Sequence, residues 1–470
     1  MPEFDNSYAR LPDRFFERVQ PDPVPLPEII LFNDSLAQEL GVADWGDDPN
    51  ILVGNTLPAG TDPIAQVYAA HQFGGWVPRL GDGRAIMLGE IVTDHGRFDI
   101  QLKGAGRTPY SRNGDGRNWL GPVLREYIVS EFMAAMDVPT TRALAATATG
   151  ANVQRERAYP GGVITRVASS HIRVGTFQYF TARRDTEAVK LLVEHVRSRH
   201  FPQAVGTIGV YEAIVAAQAK LIAKWMGLGF VHGVMNTDNM AVSGETIDYG
   251  PCAFIDGYAA NSVYSSIDRN GRYAFDQQSN IAGWNLAQLG SSFVPLLTEE
   301  LGSQEAAVEM LTQVLNGFPA LFQTQWRSVF AAKLGICAPQ EADLDLAQDL
   351  LNLMAKDRAD FTNVFATLGT DRARDAFTDR ASFDEWHSEW QERISDSPDA
   401  KAVMQRANPK IIPRTHRLEQ AIQAALNGDY TPAQRLAKAL STPTELHPDD
   451  TDLTRPPLDH EVVPNTFCGT

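Results

Sequence analysis

Cysteine is scarce in this chain. Cys252, Cys337 and Cys468 are the only three in 470 residues, too few for a disulfide scaffold, and no CxxC pair offers a structural zinc site. No uninterrupted apolar run approaches the roughly 20 residues that a membrane span needs. The opening MPEFDNSYARLPDRFF lacks the basic start and apolar centre of a secretion signal. Positive charge is also short: 41 Lys and Arg stand against 58 Asp and Glu, a net charge of −17. That balance argues against nucleic acid or an anionic membrane as the main partner. Internal repeats, low-complexity tracts and a GxGxxG loop are absent as well. The expectation is a cytoplasmic protein of ordinary globular composition, 43% apolar and 21% charged, with enough chain for a large core and two or three lobes.

What is present centres on HGVMNTDNMAVSGETIDYG, His232 to Gly250. Asp238 and Asn239 stand side by side. After Met240-Ala241-Val242, a Ser243-Gly244-Glu245 turn and the β-prone Thr246-Ile247 comes Asp248, then Tyr249 and Gly250. Strand, glycine turn, strand predicts a hairpin that brings Asn239 and Asp248 together. One amide oxygen and one carboxylate suit Mg²⁺, a hard cation that completes its shell with water and phosphate. Asp238 is then available as a base. Taken singly, each of these residues reads more simply as part of a polar loop; their combination carries the signal.

The rest of the chain supplies partners for that loop. Residues 1–80 are rich in turn-formers, with a short helix expected near Asp34–Gly41, capped by Asn33 or Asp34. AIMLGEIV (85–92) and RFDIQLKG (97–104) alternate with period two and predict strands around an Asp94-His95-Gly96 turn. Lys103 closes the second strand on the face opposite Leu102. A helix then starts at Gly121-Pro122 and ends near Asp137. Its Glu126 and Glu131 are rival partners for Lys103. Strands follow at 141–149 and 162–169, with Arg166 in the second and Arg173 just beyond, and His171 reads as a packed histidine. Helices dominate from about Thr186, with spans expected at 281–299, 304–317, 320–333, 341–367, 381–395 and 415–441. The last thirty residues read as a tail.

A strand lysine, a helix glutamate, then a helical part holding an Asn and an Asp-X-Gly resembles the order of a protein-kinase fold. Departures accompany the likeness. A kinase catalytic loop, H-R-D-x-x-x-x-N, sets its base five residues before the Asn; Val234 fills that slot here, and Asp238 adjoins Asn239. The tripeptide is Asp-Tyr-Gly. The longer motifs HGVMNTDN, IDYGP, FDIQLKGAGRTPYSRNGDGR, LREYIVSE and GGVITRVASSHIRVGTFQYF, with a Cys three from the C-terminus, resemble the selenoprotein O family, strongly over Ser7 to Gln288 and loosely beyond.

The resemblance implies an α+β, kinase-like, two-lobed fold: a β-rich nucleotide-binding lobe over 1–180, a helical lobe with catalytic loop and metal site over 181–300, and a C-terminal helical extension over 301–470. It implies ATP bound in a reversed orientation, with Mg²⁺ or Mn²⁺, and transfer of AMP to Ser, Thr or Tyr hydroxyls of proteins with release of pyrophosphate. Asp238 matches the proton acceptor, and Asn239 and Asp248 the metal ligands. Gly81, Gly83, Arg84, Lys103, Asp115, Gly116, Arg166 and Arg173 match nucleotide contacts, and Lys103 with Glu126 the strand–helix ion pair. Cys468 matches a C-terminal Cys or selenocysteine that in some members pairs with a Cys after the Asp-X-Gly. The corresponding segment 262–273 has no Cys, so a plain thiol is expected. Two rival readings stand beside this one: an orthodox phosphotransferase, and a nucleotide-binding pseudokinase scaffold.

Overall fold

Strands form at the expected 85–92, 97–104, 141–149 and 162–169, and six short ones that were not expected join them in the structure, a computed structural model that describes residues 3–467. In chain order these are β1 (Phe16–Arg18), β2 (Glu28–Phe32), β3 (Ile64–Gln66), β4 (Ala70–Gln72), β5 (Gly75–Val77), β6 (Ala85–Thr93), β7 (Gly96–Lys103), β8 (Asn118–Trp119), β9 (Arg142–Gln154) and β10 (Ala158–Ala168). Eight of them form one antiparallel sheet in the order β1-β3-β6-β7-β10-β9-β2, with β8 on β10, while β4 and β5 make a separate small hairpin. The strands expected at 141–149 and 162–169 are longer than their apolar runs, because β9 and β10 continue past them as a polar hairpin.

Alternation along β7 sorts its side chains between two cores. Ile100 and Leu102 pack with Ile86, Leu88, Val163 and Val167 against α1 (Asp34–Leu40) and α2 (Pro49–Val53). Gln101 and Lys103 therefore face the other side, where α3 (Leu120–Ala135) lies on the sheet through Val123, Leu124, Tyr127 and Ile128. Antiparallel register sets Arg166 of β10 opposite Gln101 and Ile164 opposite Lys103. A one-residue slip would reverse every one of these faces, so burial on both sides pins the register. Asn33 caps α1 by accepting from Leu36 N, as expected, and Gly41 ends it in the left-handed region.

Apart from a two-residue ladder of β11 (Phe230–Val231) on β12 (Ala253–Phe254), the regular structure of the remainder is helical: α4 (Val174–Thr181), α5 (Thr186–His200), α6 (Gly206–Gly227), α7 (Gln278–Leu301), α8 (Gln304–Asn316), α9 (Phe318–Lys333), α10 (Asp343–Asp357), α11 (Phe361–Thr367), α12 (Arg380–Ile394), α13 (Ala400–Ala407), α14 (Thr415–Leu426) and α15 (Thr431–Leu440). Helix α4 was not expected; its VGTFQYFT sequence is buried on nearly every side and so has no amphipathic period. The span expected at 341–367 breaks where Arg358 turns left-handed and Asp360 caps a new helix. That expected at 415–441 breaks at Asn427-Gly428-Asp429.

Nor is the end of the chain a loose tail. Arg414, almost wholly buried, pairs with Asp256 and Asp360 and donates to Thr454 O at 3.0 Å. Thr466 N donates to Tyr264 O at 2.7 Å. Among the described residues no helix is long and apolar enough to cross a membrane.

Candidate active site

Four elements deliver charged side chains to one buried point. Lys103, at the end of β7, donates to Glu126 Oε2 of α3 at 2.8 Å and to Asp248 Oδ1. Arg166, from β10, reaches Glu126 Oε1 with its Nε at 2.7 Å, Asp248 Oδ1 at 2.6 Å and Gln101 Oε1 at 3.0 Å. Arg173, at the start of α4, lies 3.9 Å from Asp248 Oδ2 and 3.6 Å from Asp82 Oδ1, its guanidinium over the Tyr68 ring. Glu131, the rival for Lys103, is occupied elsewhere: it accepts from Arg142, Ala143 N and Asn33. Position on the sheet decides between the two glutamates.

Burial raises Glu126 and Asp248, but the cations beside them win. Arg166 and Lys103 hold Glu126 below the usual carboxylate range, and Lys103, Arg166 and Arg173 hold Asp248 well below it. Removing one partner from such a buried network leaves an uncompensated charge, which is more costly than the pair is favourable.

The loop between Asn239 and Asp248 does not pair as the expected hairpin. Its first arm bonds to residues 172–174, through Val174 N to Met240 O at 3.0 Å and Val242 N to Ile172 O at 3.0 Å. Its second arm bonds to residues 139–141, through Thr246 N to Pro139 O and Thr141 N to Thr246 O, both at 2.9 Å. Two different neighbours take the backbone groups that a hairpin would have joined. The first arm is the one that seats Arg173 beside the loop.

Asp238 and Asn239 lie on a single 3-10 turn, Thr237–Asn239. Asn239 Nδ2 donates to Val234 O at 3.0 Å, which fixes the orientation of the amide. Burial pushes Asp238 up to about 6, against the pull of Arg173 and a hydrogen bond from Gln72; Asp248 adds to the rise, so the two carboxylates sense each other. Among the described residues no three His, Cys, Asp or Glu side chains gather as a metal cage. One carboxylate with one amide oxygen still fits Mg²⁺, which is held by few protein ligands and by phosphate oxygens.

Gly81, Gly83 and Gly116 serve close packing. A Cβ on Gly81 (φ +138°) would enter the Tyr110 ring, one on Gly83 would meet Tyr110 O at 2.9 Å, and one on Gly116 (φ +68°) would overlap the backbone of Gly106. The 81–84 turn and the 104–118 loop are thereby locked to each other. Arg84 donates to Asn118 Oδ1 at 3.0 Å and passes its carbonyl to Gly104 N, next to Lys103. Asp115 is taken by Arg155 at 2.8 Å and by Arg117 N at 2.9 Å; among the described residues no hydrogen bond or ion pair joins it to the Lys103 cluster. Asp82, Gln101 and Gln72 escaped the sequence reading. Asp82 had a signal, since it sits inside GDGR; the two glutamines had none.

His171 is a packed histidine, its Nδ1 3.0 Å from Asp99 Oδ2. Cys252 is buried and Cys337 exposed, while Cys468 lies outside the described residues.

The family model described as "Protein adenylyltransferase SelO" matches residues 2–441. A "Protein nucleotidyltransferase YdiU" of Ruegeria pomeroyi is 54% identical over 470 residues, with 99% of each chain covered. Proteins of the same name from Jannaschia sp. and Roseobacter denitrificans are 55% and 53% identical, again over 99% of each chain. With a match of this length, and relatives alike from end to end, the chain belongs to the SelO family of protein adenylyltransferases.

Proposed function

We propose that this chain moves AMP from ATP to Ser, Thr or Tyr hydroxyls of proteins, working as a kinase-like pair of lobes over 1–180 and 181–300 with the 301–470 extension behind them. The convergence of Lys103, Arg166 and Arg173 on Asp248, beside a base whose buried Oδ1 has no hydrogen-bond partner, carries this reading. Attack of the acceptor oxygen on the α-phosphorus breaks the bond to the β-phosphate bridge, and pyrophosphate leaves with its charge spread over many oxygens. Lys103 and the arginine forks supply fixed donors for that charge.

Asp238 takes the hydroxyl proton. Raised by burial to about 6, it remains mostly ionised at neutral pH yet is more basic than a solvated aspartate. Asn239 and Asp248 would hold Mg²⁺ or Mn²⁺, which supplies charge neutralisation at the phosphates when bound. Arg84 and the locked 81–84 and 104–118 loops, with Asp115 and Gly116, would border the nucleotide. The SelO and YdiU names favour nucleotidyl transfer over phosphotransfer or a scaffold role.

The test is transfer from ATP labelled at the α or the γ phosphate to a soluble protein extract. α-Label on protein is expected. γ-Label would make the chain a phosphotransferase, and neither label would make it a scaffold. Asp238→Ala should lower α-label transfer by about 100-fold or more; unchanged transfer would remove Asp238 as the base.

A further inference from the structure

The small hairpin β4–β5 reads the catalytic turn residue by residue. His71 N donates to Thr237 Oγ1 at 2.7 Å, Gln72 Nε2 to Asp238 Oδ2 at 3.1 Å, and Phe73 N to Asn236 Oδ1 at 2.9 Å. The anchors are themselves fixed. Thr237 Oγ1 donates to Gln178 Oε1 at 2.7 Å, Gln178 reaches His71 Nδ1 at 2.9 Å, and Asn236 Oδ1 also accepts from Tyr273 OH at 2.7 Å. Phe73 and Gly74 both have positive φ, +51° and +83°, which gives the tight turn its twist. In a phenylalanine that geometry costs roughly 1–2 kcal/mol. The residue is 38% exposed, so burial alone does not offset the cost; the hydrogen bond to Asn236 and the ring contact with Tyr273 at 5.1 Å hold it. The hairpin is strained into a shape that brings Gln72 to the base.

Gln72 supplies the one side-chain hydrogen bond to the Asp238 carboxylate among the described residues, and the second oxygen is buried without a partner. We propose that Gln72 is a positioning residue for Asp238, holding Oδ2 so that Oδ1 faces the acceptor hydroxyl. An amide suits this task because it donates without adding a cation that would suppress the base. The inference rests on Asp238 being the base, as set out above.

Gln72→Leu removes the donor at nearly constant size. With α- and γ-labelled ATP and a soluble protein extract as acceptor, the transfer rate at saturating ATP should fall by about 10- to 100-fold, the cost of a misplaced catalytic group. KM for ATP should stay within about twofold, since Gln72 orients the base and not the nucleotide. In an Asp238→Asn background the same substitution should cause no further loss, because the residue acts through Asp238 alone. Gln72→Glu, isosteric and with the His71 and Phe73 backbone bonds untouched, should also fall, through repulsion between two carboxylates; it serves if the Leu variant does not fold.

An unchanged rate, a loss that follows KM for ATP, or an equal loss in both backgrounds would overturn the assignment. The label that the wild-type chain transfers decides the AMP reading, and the variant-to-wild-type ratio decides this one. A wild type that transfers neither label would end both.

Discussion

Lys103 shows how far a single residue can be read from sequence. Period-two alternation put it on the face opposite Leu102, and the structure agrees. Its partner was not legible, because Glu126 and Glu131 both ride one helix, and it is Arg142, Ala143 N and Asn33, brought in by other elements, that claim Glu131. Lys103→Met leaves Glu126 to Arg166, and Asp248 to Arg166 and the more distant Arg173. Transfer is expected to fall by about 100-fold, and urea unfolding to come earlier by roughly 3 kcal/mol. Glu245 gives a pH signature. Burial pushes it up to about 7, with bonds from Ser169 and Ser243 opposing the rise. The folded state thus favours its proton, so this contribution is whole below the unfolded pKa near 4.5 and is lost as pH rises through about 7. Other groups titrate too, so the readout is a difference: from pH 5 to pH 8, Glu245→Gln should gain about 2 kcal/mol on the wild type in urea unfolding. A pH-independent difference would show that Glu245 is solvated.

Elements whose partners are local were legible; those whose partners are distant were not. The β6–β7 hairpin, the Asn33-capped helix and α3 follow from periodicity and capping. The 240–247 segment has the composition of a hairpin, yet its arms bond to residues 172–174 and 139–141, which no local pattern announces. Helix α4 was hidden for the related reason that a fully buried helix has no polar face. The loop pair at 81–84 and 104–118 was visible as glycine and arginine, but the glycines' role in locking one loop on the other was not. Gly116→Ala sets a Cβ against the Gly106 backbone at a positive φ. The loop should open, raising KM for ATP by about tenfold with a loss of about 1–3 kcal/mol in stability. Raised KM without destabilisation would instead point to direct contact between this glycine and the nucleotide.

At the scale of the molecule, the helices beyond residue 410 complete the site although none of their side chains enters it. Leu418, Ile422, Leu436 and Leu440 of α14 and α15 share a core with Val123, Leu124 and Tyr127 of α3, so α3 is gripped between the sheet and the end of the chain. Arg125, adjacent to Glu126 and buried, pairs with Glu419 of α14. The glutamate that holds Lys103 is thus fixed in space by residues nearly three hundred positions later. Glu419→Ala leaves the Arg125 charge buried without its partner, and because Glu419 is partly exposed the cost should be about 2 kcal/mol in urea unfolding. If α3 placement matters, α-label transfer at saturating ATP should fall alongside, by about tenfold. The double variant Arg125→Leu, Glu419→Leu replaces the pair with apolar contact and should recover most of both losses. Recovery of stability without recovery of transfer would mean that the ion pair sets the angle of α3. Loss of stability with transfer unchanged would mean that the C-terminal helices support the fold and leave the position of Glu126 to the sheet.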